Sequence, residues 1–307
     1  RFTPEEQAAR AAAAAKEADD AAASASTTTR SGLATFPIDH PGHGGQIRAR
    51  SLYGALAEHR PVEVVSLVDF GNQPGRTPLG PQLTQVVVPR SAEHMLVGEE
   101  LSLEVRTPVS DLVAGSQIEL SPDYLRAVEL ACRGASAVIL AEPYLLPVLE
   151  HLGIDLPVLY DAYNVEAALK ADAYPDTSMG RKLLDQVIEV ERGAVRRAHR
   201  VTTCSAADAA ALAAESDQPV DHFTVVPNGT DIPATVPTAA QRATQGERWR
   251  RRYWTAGSMG ARPEHLAVFF GSWHPPNLDA AELLLELAPQ LPQVMFLSVG
   301  RHGQAFE

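Results

Sequence analysis

The sequence predicts an α/β fold with a parallel sheet, on three observations. Short Val-rich apolar runs recur along the chain, helical stretches separate most of them, and Gly or Pro flanks many of them. Runs of that length suit strands buried on both faces, and their alternation with helices makes βαβ units. The chain has 307 residues, 45% of them hydrophobic, which is enough for a sizeable core and more than one average domain. Two doubly wound, Rossmann-like domains of unequal size are expected.

Residues 1–30 stand apart. They are rich in Ala, which favours helix, but offer almost no large apolar face, so a solvated helix or linker is expected there. Strands are then expected at Leu33–Ile38, Val62–Val68, Gln85–Val88, Ala137–Leu140, Pro157–Tyr160, Arg200–Thr203 and Phe223–Val226. Helices are expected at Ile47–Glu58, Pro122–Arg133, Tyr144–His151, Met179–Ala198 and Ala206–Glu215. Together these make a first domain over 31–227. The remainder, 228–307, reads as a hinge, a linker with a helix near Gln241–Tyr253, and the start of a second domain. That start consists of strands at Ala267–Phe270 and Val294–Val299 around a helix from Asn277 to about Ala288. So few elements do not make a stable sheet alone, and the second domain is expected to be incomplete.

Charge and cysteine usage narrow the function classes. A net charge of −12 argues against a general nucleic-acid binder, which normally carries a basic excess. No apolar run approaches the ~18 residues that a membrane-spanning helix needs. Cys132 and Cys204 belong to no CxxC motif, so neither a zinc knuckle nor a redox pair is indicated, and a reducing cytoplasm fits. The cluster from Arg248 to Trp254 is suited to peripheral contact with an anionic membrane face, although such charge runs are more often solvated helix surfaces.

In open α/β sheets ligands bind beyond the carboxyl ends of the strands, so the candidate residues are those that follow each strand. After the first comes Asp39-His40-Pro41-Gly42-His43-Gly44-Gly45-Gln46-Ile47-Arg48. Gly44 and Gly45 at a helix start let backbone amides approach an anion, although a plain turn has the same form. Asp39, His40 and His43 lack a fourth partner at ligand spacing, and no metal is called for. Glu142 precedes Pro143 at the next helix start, where it serves either as a first-turn carboxylate or as a ligand contact. In Asp161-Ala162-Tyr163-Asn164-Val165-Glu166, capping accounts for Asp161, Asn164 and Glu166, but it leaves Tyr163 unexplained. Glu191 lies on the apolar stripe of its helix, with Leu184, Val187, Ile188 and Val195, where a structural ion pair is expected rather than catalysis. Asn228 and Gly229 mark a tight turn, hinge or cleft floor. Gly271 and Ser272, followed by the helix start at Asn277, can hold a diphosphate through backbone amides.

In order, the segments HGGQIR, AEPY, DAYNVE, the Glu191 helix leading to VTTCS, VVPNGTD, FFGSWHPPNLDA and LSVG resemble the retaining GT4-type glycosyltransferases of the GT-B fold. The resemblance spans residues 33–300. It implies a nucleotide-sugar donor held mainly by the C-terminal lobe and an acceptor held mainly by the N-terminal lobe. It also implies retention of anomeric configuration and no required metal. The sequence departs from the family pattern at Ala141, where many relatives have His, and at Tyr163, where many also have His. A basic pair for the diphosphate is not visible in Trp273–Asn277, and the family's paired glutamates are expected beyond Glu307.

The resulting expectation is transfer of a sugar from a nucleotide-diphosphate sugar to a saccharide or lipid-linked acceptor, with no cofactor. Gly44, Gly45, Gly271 and Ser272 are expected near the departing diphosphate, where amide donors stabilise developing charge. Asp161, Asn164 and Glu166 are expected to face the acceptor, with Glu142 nearby. A catalytically silent sugar-nucleotide-binding relative and a GT-B-shaped sugar-nucleotide epimerase are the alternatives.

Overall fold

A computed structural model describes residues 29–230, 234–254, 263–271 and 275–300. Most of the Ala-rich stretch and Ser272 lie outside the described residues. The chain divides into two compact units, the first ending at Gly229 and the second beginning at Thr230.

The first unit is built on β1 (Thr29–Ala34), β2 (Val62–Val68), β3 (Gly75–Pro78), β4 (Leu83–Pro89), β5 (Ala135–Leu140), β6 (Val158–Ala162), β7 (Arg200–Thr203) and β8 (Phe223–Val225). They form one eight-stranded sheet in the order β3-β4-β2-β1-β5-β6-β7-β8. Every neighbouring pair is parallel except β3 with β4. The order reverses at β1, which lies between β2 and β5, so the crevice beyond the ends of β1 and β5 is the topological switch point.

The helices are α1 (Gly44–Ala57), α2 (Ala92–Val105), α3 (Ser110–Ser116), α4 (Pro122–Arg133), α5 (Leu146–His151), α6 (Glu166–Ala173), α7 (Ser178–Arg197) and α8 (Ala206–Ser216). Side chains alternate across a strand, and the core divides accordingly. On one face Ala34, Val62, Val64 and Ile139 pack with Ala49, Tyr53 and Ala57 of α1. On the other, Leu33, Val65, Leu140 and Tyr160 pack with residues of α4, α5, α7 and α8. A third cluster joins Val105, Leu112, Tyr144, Leu183 and Val187 beside the sheet. Helices on both faces explain why β2 is buried along nearly its whole length.

The first strand corrects the sequence reading. Leu33–Ile38 is apolar except for Thr35, yet β1 ends at Ala34. Beyond it the backbone bonds to side chains instead of to a neighbouring strand: Thr35 N–H to Glu142 and Ile38 N–H to Gln85. Phe36 and Ile38 are apolar because they pack over the end of the sheet, in the cluster that α1 covers.

In the second unit, α9 (Ala239–Tyr253) begins with a capping box between Thr238 and Gln241. β9 (His265–Phe270) and β10 (Val294–Val299) pair in parallel, with α10 (Pro275–Leu287) between them in sequence. Val268, Phe270, Leu283 and Leu285 are exposed. Among the described residues no helix is long and apolar enough to cross a membrane.

Two glycines test this packing in opposite directions. A Cβ on Gly115 of α3 would sit 1.6 Å from the Tyr144 carbonyl oxygen, whereas one on Gly54 of α1 would meet nothing within 4 Å. Gly115→Ala is expected to destabilise by about 3 kcal/mol or more, because backbone must move to admit it. Gly54→Ala is expected to stabilise by roughly 0.5–1 kcal/mol through helix propensity. Urea midpoints check both; equal midpoints for the two variants would contradict the packing of α3 against the turn at Tyr144.

Candidate functional site

Two charged side chains at this edge of the sheet are withdrawn from water. Arg48, from the first turns of α1, places Nε 3.2 Å and Nη2 2.8 Å from Asp161 Oδ1. Their side chains are 3% and 2% exposed. Thr202 Oγ1 donates to the same oxygen at 2.6 Å. Arg48 Nη1 reaches onward to the Val226 carbonyl at 2.8 Å and to Asn228 Oδ1 at 2.9 Å. Burial opposes the Arg48 charge, but the hydrogen bond and charge of Asp161 outweigh it, and the net pKa is raised. Asp161 Oδ2 is buried without a hydrogen-bond partner.

An aromatic wall stands above this pair. The Tyr163 ring lies 5.9 Å from the Arg48 guanidinium and 6.2 Å from Phe36, and Phe36 meets the His43 ring edge-on at 5.1 Å. Gly45 is packed against Tyr163, whose ring atoms lie 3.2 Å from where a Cβ would be. That contact explains both Gly at 45 and the aromatic residue that capping left unexplained. His43 caps α1 by accepting from Gln46 N, and Gln46 Oε1 takes the Gly42 N–H at 2.7 Å. Gly44 and Gly45 therefore lie in the first turn of α1 rather than before it. The space around Gly44 is open.

Glu142 bridges the switch point. It follows β5, Thr35 follows β1, and Glu142 Oε2 accepts from both Thr35 N, at 3.2 Å, and Thr35 Oγ1. Burial raises its pKa to about 8; the Thr35 hydrogen bonds pull the other way, and Asp111 and Glu166 add to the rise. The residue retains some exposure.

The segment after β6 is fixed by carboxylates. Glu166 is buried and accepts from Tyr144 Oη at 2.7 Å and from Asn164 Nδ2 at 3.2 Å. Asn164 itself is exposed. Glu191 of α7 corrects the sequence expectation: its partners are two backbone amides and, at 3.5 Å, the Tyr160 hydroxyl, rather than a cation. Oε1 takes Glu166 N–H at 2.7 Å and Oε2 takes Ala167 N–H at 2.9 Å, so this carboxylate caps α6 from a distant helix. Burial raises its pKa to about 7 despite those two bonds.

The structure thus brings Gly44, Gly45, Glu142, Asp161, Tyr163, Asn164, Glu166 and Asn228 to one edge of the first unit. Asp161 and Glu166 are turned into protein contacts, while Asn164 and Gly229 are exposed. In the second unit Gly271 ends β9, its N–H on the Val299 carbonyl at 3.1 Å, and Asn277 lies in the first turn of α10. Arg48 and Thr35 were not foreseen from the sequence. Arg48 carried a usable signal, a charge in line with Leu52 and Leu56 at helical spacing, the same signal that marked Glu191. Among the described residues no three His, Cys, Asp or Glu side chains are grouped as metal ligands.

No protein-family model matches the chain, and no curated protein is similar to it in sequence. Solved structures are similar in fold. Sucrose-phosphate synthase from Thermosynechococcus elongatus superimposes with a TM-score of 0.58 at 15% identity, over 90% of this chain and 72% of that one. The catalytic domain of starch synthase IV from Arabidopsis thaliana, bound to ADP and acarbose, gives 0.52 at 12% identity, over 92% and 71%. HepE from Anabaena, in complex with UDP and glucose, gives 0.52 at 14% identity, over 91% and 63%. The chain thus has an α/β, GT-B-like fold on a mostly parallel sheet, similar to the folds of these structures.

Glu191→Ala leaves two buried amides without acceptors and is expected to cost about 2–4 kcal/mol of stability. Glu191→Gln keeps one acceptor and should cost less. A carboxyl whose pKa is raised on folding adds stability below its unfolded pKa of about 4.3, and this is lost as pH rises through about 7. Urea denaturation between pH 4 and 8 should show a shallower decline for Glu191→Gln than for the parent. Parallel pH profiles would rule out the buried-carboxyl account.

Proposed function

We propose that this chain is a retaining, metal-independent glycosyltransferase that moves a sugar from a nucleotide-diphosphate sugar to a saccharide or lipid-linked acceptor. The observation that carries the reading is Glu142: a carboxyl anchored by Thr35 across the switch point, with its pKa raised to about 8. A carboxyl of that pKa suits general-base work near neutrality. It takes the proton of an acceptor hydroxyl that attacks the anomeric carbon on the face from which the nucleoside diphosphate departs, so that the new glycosidic bond replaces the broken bond to the diphosphate with configuration retained. The GT-B architecture supports the reading, and two similar structures carry a nucleoside diphosphate together with a sugar or oligosaccharide ligand.

In this scheme Tyr163 and Asn164 meet the acceptor. Asp161 and Glu166 act as positioning residues, the first through Arg48 and the second through Tyr144 and Asn164. Gly44 leaves room for a ligand at the start of α1, while Gly45 admits the Tyr163 ring beside it, and Asn228 and Gly229 form the floor of the crevice. Gly271, Ser272 and Asn277 belong to the diphosphate side, where backbone amides at a helix start stabilise the leaving group. The basic residues of α9, Arg248 and Arg250 to Arg252, suit peripheral contact with an anionic membrane face, in a cytoplasmic setting.

The test is nucleotide release from UDP-, ADP- and GDP-sugars in the presence of a panel of saccharide acceptors. Transfer is expected with at least one pair, and Glu142→Gln should lower kcat by about 10²–10⁴ with the donor KM unchanged. Because the base must be deprotonated, the parent rate should rise with pH through about 8, and the variant should lack that limb. No release with any pair would favour a silent sugar-nucleotide-binding protein. Donor isomerisation without an acceptor would favour an epimerase. Full activity of Glu142→Gln would remove the proposed base.

A further inference from the structure

A second cleft opens at the same edge of the sheet, beyond the ends of β2 and β4. It has a volume of about 640 Å³ and is lined by the Phe70–Gly75 turn, by Val88 to Ser91, and by Ser121 to Asp123. α2 and α4 both start at its rim, capped by Ser91 and preceded by Ser121 respectively, so the positive ends of two helices are directed toward it. The hydroxyls there are committed. Ser121 Oγ contacts His94 Nδ1 at 2.7 Å and accepts from Ser91 N at 3.2 Å, while Ser91 Oγ accepts from His94 N at 3.0 Å. His94 Nε2 is 3.0 Å from the Val113 carbonyl and donates to it, and burial lowers the pKa of the ring, which favours the neutral form with Nδ1 accepting from Ser121 Oγ.

Arg90 is different. It lines the cleft, is 4% exposed, and makes one long side-chain hydrogen bond, Nη1 to the Ser110 carbonyl at 3.3 Å. Its Nε is buried without a hydrogen-bond partner. The neighbouring carboxylate, Asp69, stands 3.7 Å from Nε with its side chain 69% exposed, outside hydrogen-bond range. Asp123, also at the cleft, is paired with Arg126. A buried guanidinium with its Nε–Nη2 edge unclaimed is costly unless an acceptor with two oxygens fills it, and that edge matches a carboxylate or phosphoryl group. Burial lowers the pKa of Arg90, and the charges of Asp69, Asp111 and Glu142, in that order, oppose the shift.

We propose that this cleft is an anion subsite in which the Nε–Nη2 edge of Arg90 holds a phosphoryl or carboxylate group of the acceptor. Calling the ligand an acceptor rests on the glycosyl-transfer reading; the anion site itself does not. Asp69 then occupies the approach to Arg90 when the subsite is empty and competes with the incoming anion.

Calorimetric titration of the full chain without nucleotide sugar tests this with four probes: inorganic phosphate, glucose 6-phosphate, glucuronate and glucose. At least one of the charged sugars should bind about 10-fold or more tightly than glucose, and the tighter of the two identifies the phosphoryl or the carboxylate as the group recognised. Arg90→Met should abolish that preference. Asp69→Asn, at an exposed position, should tighten inorganic phosphate severalfold without loss of thermal stability. The proposal is overturned if the charged probes bind no better than glucose. It is equally overturned if Asp69→Asn lowers the melting temperature and leaves phosphate binding unchanged, because Asp69 would then be the structural partner of Arg90. If no donor releases nucleotide yet Asp69→Asn tightens phosphate, the transfer reading fails and the anion subsite stands.

Discussion

The ion pair between Arg48 and Asp161 is the constraint on which the functional edge depends. Taking a guanidinium and a carboxylate almost wholly out of water is expensive, and their attraction offsets that cost only when the geometry is good and further hydrogen bonds are made. Both conditions hold at Asp161 Oδ1, whereas Oδ2 is left without a partner. Two nitrogens of Arg48 and the Thr202 hydroxyl converge on one oxygen of Asp161, and the third nitrogen reaches the Val226 carbonyl and Asn228. One side chain thereby ties α1 to β6, through Asp161 to β7, and to the chain just past β8. A leucine at 48 would bury as much surface but would fix none of these positions.

The same logic recurs one layer out. Glu191 reaches from α7 to cap α6, and Glu166 at the start of α6 receives Tyr144 and Asn164. Glu142 ties the loop after β5 to the loop after β1. Each of these carboxylates satisfies donors on a segment far away in sequence, so loops that share no secondary structure are held in register with one another. The proposed chemistry draws on this arrangement. A general base must be held in place and displaced in pKa together, and the partly closed switch point supplies both conditions to Glu142.

Much of the fold was legible because buried parallel strands are apolar on both faces. β2, β7 and β10 have the bounds that the apolar runs predicted, and most other strands differ by one or two residues. β3 was not legible: all four of its residues are exposed, and nothing apolar marks it. α2 was missed for a sharper reason. It buries His94 and Gly98 alongside Val105 and exposes Leu96 and Leu103, so the apolar stripe by which helices are read is broken. At the site, the positions after strands were readable, whereas partnerships were not. The sequence shows that Glu191 sits on an apolar stripe; only the fold shows that it accepts from two amides of α6 and from the Tyr160 hydroxyl. Arg48 sits on a stripe of the same kind, and Arg90 ends a strand with nothing in its neighbours to show that its guanidinium is left short of acceptors.

Whether the buried pair organises the edge can be measured by a double-mutant cycle with Arg48→Met and Asp161→Asn, followed by urea denaturation and by amide hydrogen exchange. The account predicts that each single change destabilises by about 3 kcal/mol or more, because it strands a buried partner. It also predicts that the two changes couple by about 1–3 kcal/mol. Exchange should accelerate together in the segments 161–166 and 226–229. A coupling within about 0.5 kcal/mol of zero, with exchange in both segments unchanged, would contradict it.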